Sequence, residues 1–180
     1  MCQFFQQTGM PPKQSDYPLL DREYQAVQRI LEKNECSSIK VEEIVSVHEG
    51  RVTDIHLGSF NLSEFILTND IDSLHSSLLL IKLDKNDLIK FFVHDTIKRH
   101  FSISLFGNRL SFLNADLSKL IGDIHLDVRQ NYIEDIAPEV LYSGITDLKI
   151  DQNRLCNISD SIKLWLTELD SSWEETQICD

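Results

Sequence analysis

Four asparagines, Asn86, Asn108, Asn131 and Asn153, recur at separations of 22, 23 and 22 residues. Each stands at the same place in a short pattern of apolar residues. In "LKIDQNRLCNIS", residues 148–159, Leu148 and Ile150 precede Asn153, and Leu155 and Ile158 follow it. Written as L-x-x-L-x-L-x-x-N-x-L, the pattern is filled by Leu78, Ile81, Leu83, Asn86 and Leu88, and again by Ile145, Leu148, Ile150, Asn153 and Leu155. Between these, Ile103, Leu105, Asn108 and Leu110 follow a first position held by His100, and Leu126, Val128, Asn131 and Ile133 follow one held by Asp123. A first unit has Val52, Ile55, Leu57 and Leu62, with Phe60 in the asparagine position. Three residues past each unit another apolar residue stands, at Phe65, Phe91, Leu113, Ile136 and Ile158. A unit this short cannot bury its own apolar face, so units of fixed period must stack on one another.

The template resembles the leucine-rich repeat family over residues 52 to about 166, well over half the chain. The resemblance implies an α/β fold: a right-handed leucine-rich repeat solenoid forming a short horseshoe arc. It would hold about five repeats of 22–26 residues, with a parallel concave sheet, an N-terminal helix and hairpin cap and a C-terminal helical cap. The physical reasons agree. In the L-x-L segment side chains alternate, so Leu148 and Ile150 face one way and Lys149 the other. Strands of successive units then pair in parallel around a continuous core. At Asn153 the chain turns inward, where backbone groups lose water. An amide side chain carries both donor and acceptor and can satisfy them, so Asn86, Asn108, Asn131 and Asn153 read as a structural ladder. The short return leaves room for only a short helical turn or 3₁₀ segment on the far side, not a long helix.

Stacked units expose an apolar slab at each end, and the flanking sequence supplies covers. Residues 18–50 read as an N-terminal cap: a helix over 21–34 N-capped by Asp21, with Tyr24, Val27, Ile30 and Leu31 on one stripe, then a strand or hairpin arm turning at His48-Glu49-Gly50. Repeats span 51–158. Residues 159–180 form a C-terminal cap in which Asp160 N-caps a helix carrying Ile162, Trp165, Leu166 and Leu169, in a tail similar to the closing segment of bacterial leucine-rich repeat proteins. Residues 1–17 read as a disordered lead or tether. Cys2 before this polar stretch is similar to the start of a mature bacterial lipoprotein. A lipid anchor at Cys2 on a cell envelope therefore stands as the alternative to a cytoplasmic protein. Cys156 and Cys179 could meet, although spacing alone favours two unpaired thiols.

The composition narrows the function. A formal net charge of −12 lacks the basic footprint of a nucleic-acid binder. No apolar run is long enough for a transmembrane helix. The chain carries no nucleophile elbow, phosphate loop, HExxH or paired-carboxylate motif, so no catalytic residue, metal or cofactor is expected, and the six histidines are scattered. The variable residues between the strand leucines remain. His56, Lys82, Ser104, Asp127 and Lys149 form one outward column, and Asp84, Phe106, Arg129 and Asp151 belong to the next. Mixed charge around an aromatic suits a protein partner, with Phe106 as anchor beside Arg129. The expectation is a non-enzymatic, monomeric protein–protein interaction module. The alternative is a structural role, self-assembling through the ends or edges of the array.

Overall fold

The computed structural model describes residues 19–179, so the readings of the tether 1–17 and of a lipid anchor at Cys2 lie outside the described residues. The alternating segments become strands: β1 (Val45–His48), β2 (Arg51–His56), β4 (Leu80–Lys82), β6 (Phe101–Ser104), β8 (Ile124–Asp127) and β10 (Ile145–Lys149) form one six-stranded sheet in the order β1-β2-β4-β6-β8-β10. Only the β1–β2 hairpin in it is antiparallel; β2, β4, β6, β8 and β10 run parallel. Between them lie β3 (Glu64–Leu67) and β5 (Lys90–Val93), a second parallel pair, and β7 (Phe112–Leu113) and β9 (Asp135–Ile136), a third. Short 3₁₀ turns at Asn69–Ser73, Ala115–Lys119 and Pro138–Tyr142 lead back to the main sheet. The architecture is mixed α/β, with a mostly parallel sheet and few helices.

Burial follows the alternation. Ile55, Ile81, Ile103, Leu126 and Leu148 occupy matching positions across the sheet, and Leu57, Leu83, Leu105, Val128 and Ile150 stand two residues on; all are buried in one continuous core. Each such side chain contributes about 1.5–3 kcal/mol by leaving water. Beyond every strand the chain reverses through one left-handed residue: Ser59, Lys85, Gly107, Gln130 and Gln152 have φ of 62°, 53°, 67°, 55° and 56°. Only Gly107 adopts this without a Cβ penalty. The repeated turn persists at Lys85, Gln130 and Gln152 because the next residue fixes it.

That next residue is the asparagine. Asn108 Oδ1 accepts the Leu88 N–H at 3.1 Å, and its Nδ2 donates to Leu83 O at 3.0 Å and Leu105 O at 2.9 Å. Asn131 serves Leu110 N–H, Leu105 O and Val128 O in the same way, and Asn153 serves Ile133 N–H, Val128 O and Ile150 O. Each intervening carbonyl thus receives two amides. Asn86 accepts from both Phe60 and Leu62 N–H, so the buried Phe60 sits in a turn secured from the following unit.

Three local expectations are corrected. The first template position is filled by the buried Phe101 and Ile124, one residue after the exposed His100 and Asp123. The parallel pairing accommodates the difference by a register shift between Ile145 and Asp147. Asp21 and Asp160 do not cap: α1 (Asp21–Lys33) and α3 (Asp160–Leu169) start at these residues, with Leu20 and Ser159 at the N-cap and the acids in the first turn, where the helix dipole favours them. The arm before β1 begins as a helical turn, α2 (Val41–Ile44).

Two amides close the stack. At one end Asn34 accepts the Ile66 N–H at 2.7 Å and donates to Ile66 O at 2.9 Å, replacing a strand beside β3 while it stops α1. Here too Glu23, fully buried, accepts Val52 N–H at 3.2 Å and His75 N–H at 3.0 Å, fastening α1 to β2 and to the segment that leads into β4. At the other end Gln177 takes the place of a further asparagine. Its Oε1 accepts Leu155 N–H at 3.4 Å and its Nε2 donates to Ile150 O at 3.3 Å. The tail is also held by Trp173, 3% exposed. Cys156 and Cys179 form a disulfide with Cα atoms 5.7 Å apart, which corrects the preference for two free thiols. Sequence spacing carries no information on such a distance; the fold brings the two together by adding the tail as a last rung.

Candidate functional site

The sheet gives each outward residue a fixed place. His56, Lys82, Ser104 and Asp127 are successive register partners across β2, β4, β6 and β8, and Lys149 follows Asp127 on β10. Neighbours in such a row lie about 4.8 Å apart. A second row follows as the strands end. The carbonyls of Asp84, Phe106, Arg129 and Asp151 accept from Ser59, Lys85, Gly107 and Gln130 N–H in turn, so these four also lie side by side. All nine candidate residues therefore share one face.

Four of their charges pair with one another, Lys82 with Asp84 and Arg129 with Asp127. Asp127 receives both Nε and Nη2 of Arg129, at 3.0 and 2.7 Å, and also its backbone N–H at 3.1 Å. The hydrogen bond to Asp127 holds the Arg129 guanidinium more firmly protonated than usual, with Asp127, Asp151 and Asp84 adding attraction. Its Cζ lies 5.6 Å from the centre of the half-buried Phe106 ring, within cation–π range. Arg129 is thus laid over the Phe106 ring. Asp84 accepts from Ser104 Oγ and pairs with Lys82 Nζ at 3.4 Å. His56, at the β1 side, is half-buried and hydrogen-bonded through Nε2 to Ser46 Oγ at 2.9 Å. Burial lowers its pKa, Asp54 opposes this, and Lys82 adds to it, so the ring stays neutral at pH 7.

Two recesses interrupt the face. One is centred on Ser102 and Ser104 and walled by Lys82, Asp127 and Lys149, with His125 and Asp147 paired at 3.6 Å beside it. The other runs from Phe106 and Arg129 past Asp151 and Gln152 to Thr176. Gln152 and Thr176 were not among the residues expected from the sequence. Thr176 arrives because Gln152 N–H donates to its carbonyl at 3.0 Å, which extends the second row by one residue. The signal that could have found it is the amide of Gln177, which falls 24 residues after Asn153.

Among the described residues no helix is long and apolar enough to cross a membrane. Compared with known proteins, the chain matches no family model, no curated protein and no solved structure.

Proposed function

We propose that this chain is a right-handed leucine-rich repeat solenoid, a short horseshoe arc, and a non-enzymatic module that binds a protein partner on its concave strand face. The repeating asparagine amides, each joining one turn to the unit before it, support the architecture. The binding reading is carried by a single observation. Nine variable side chains of mixed charge lie in two adjoining rows, with an Arg129–Phe106 pair at the middle of one. Aromatic and arginine side chains dominate protein hot spots, and charges around them set register and exclude wrong partners. Arg129, pre-ordered by Asp127, loses little side-chain freedom when a partner docks.

The test is site-directed photo-crosslinking in the source cells. A benzophenone amino acid at Lys149 on the concave row should capture a protein adduct of defined mass. The same group at Asp116, on the opposite surface, should not. Phe106→Ala with Arg129→Ala should reduce the adduct from Lys149 at least tenfold while the melting temperature changes by only about 2–4 °C. Equal capture at Asp116, or an adduct untouched by the double substitution, would count against this face.

A further inference from the structure

The Phe106 recess has one wall that no strand of the sheet supplies. Thr176 belongs to the tail, and the contacts holding that segment are few: Gln152 N–H to Thr176 O at 3.0 Å, Ile178 N–H to Asn153 O at 2.7 Å, and the two long bonds of Gln177 at 3.3 and 3.4 Å. The internal rungs of the asparagine ladder are shorter, at 2.9–3.1 Å, and stand between two units. Beyond the buried Trp173, to whose carbonyl Gln177 and Thr176 also donate, the covalent tether of the tail is the bond from Cys179 to Cys156, and both cysteines are exposed to solvent.

We infer that the Cys156–Cys179 disulfide is a redox latch on the Phe106–Arg129 recess. Oxidised, it holds Thr176 against Gln152 and completes the second row as Asp84, Phe106, Arg129, Asp151 and Thr176. Reduced, it releases residues 174–179 and opens the recess at that end. The reductant is a dithiol. One thiolate attacks a cystine sulfur to give a mixed disulfide, and the second displaces the remaining cysteine. Two electrons pass to the protein, Cys156 and Cys179 leave as thiols, and the dithiol becomes a disulfide. Access suits this exchange, since thiol–disulfide exchange requires an approach to sulfur and both residues lie on the surface. The third cysteine among the described residues, Cys36, is buried and takes no part. Loss of the latch stays local for a physical reason. Trp173 and α3 keep the core covered through Ile162 and Leu166, and Asn153 keeps its bonds to Ile133, Val128 and Ile150.

What the recess holds rests on the concave-face reading; the movement of its wall does not, and it is measured without any partner. The full chain, ¹⁵N-labelled and with 4-fluorophenylalanine at Phe106, is compared oxidised, after dithiothreitol, and as Cys156→Ser/Cys179→Ser. The expected result is amide exchange at least tenfold faster at Gln152, Leu155 and Ile178 in the reduced and doubly substituted forms, with a shifted ¹⁹F resonance. Leu88 and Leu110 amides should be unchanged. Unchanged exchange at the three tail-linked amides would overturn the latch. So would faster exchange at Leu88 and Leu110 as well, because the disulfide would then be a general staple. Crosslinking from Lys149 in both redox states separates the two claims: if no concave-face adduct forms in either state while the wall still moves, the partner reading fails and the latch stands.

Discussion

Replacing Asn108 by alanine isolates what one rung of the ladder contributes. The side chain is 4% exposed and satisfies three backbone groups, but not equally. Leu83 O keeps the Asn86 amide at 2.9 Å, and Leu105 O keeps Asn131 at 3.0 Å. Each therefore loses one of two donors, worth about 0.5–1 kcal/mol in net terms. Leu88 N–H loses its acceptor outright in a buried turn, which costs about 1–3 kcal/mol. The sum is about 2–5 kcal/mol, a large share of the ~5–15 kcal/mol that holds a domain folded. For a chain of this size that corresponds to a drop of about 4–20 °C in melting temperature. Asn108→Asp keeps the acceptor for Leu88 but sets a carboxylate oxygen against two carbonyls, so at neutral pH it should destabilise at least as much as alanine. Asn86→Ala should be worse than Asn108→Ala, because four backbone groups, Phe60 N–H, Leu62 N–H, Leu57 O and Leu83 O, lose the Asn86 amide, against three at Asn108. Urea unfolding followed by far-ultraviolet circular dichroism and by the fluorescence of Trp165 and Trp173 measures these differences, and coincident curves license a two-state value. A loss under about 0.5 kcal/mol at Asn108, or Asn86 being the milder of the two alanine substitutions, would refute the rung-by-rung reasoning.

Further outcomes follow from the ends of the stack. Glu23→Ala leaves Val52 and His75 N–H without their carboxylate in a buried site and should cost about 2–4 kcal/mol by urea unfolding; Glu23→Gln, which retains one acceptor oxygen, should cost less. His56 has a pKa depressed by burial, so the unfolded chain takes up its proton first as pH falls below about 6.5. That group's share of stability is present above this pH and is lost progressively down to the lower folded pKa. His56→Gln should flatten the stability profile in that window, and an unaltered profile would rule out the assignment.

How far the sequence discloses the molecule depends on which physical signal each residue carries. Ile81, Ile103, Leu126 and Leu148 are legible because alternation dictates which side of a strand faces the core, and the asparagines because their period is regular. Phe101 and Ile124 are misplaced by one because a register shift leaves no trace in a spacing template. Glu23 is invisible on a helix otherwise polar on its outer face, since its partners lie 29 and 52 residues away. Arg129 beside Phe106 is legible, because the two fall in one outward column of the repeat. The grip of Asp127 on Arg129 is not, because β8 ends at Asp127 and the pair depends on how the chain turns after it. Thr176 entered the candidate site only through the tail, whose path is set by Trp173, Gln177 and the disulfide together.

The most direct test of the central claim is a hydrogen-exchange footprint of the complex with the crosslinked partner, once recovered. Protection should fall on the strand ends 54–58, 80–84, 102–106, 125–129 and 147–151, strongest around Phe106 and Arg129. The 3₁₀ segments Asn69–Ser73, Ala115–Lys119 and Pro138–Tyr142 should exchange as in the free protein. Protection centred on those segments, with the strand face unchanged, would contradict the account.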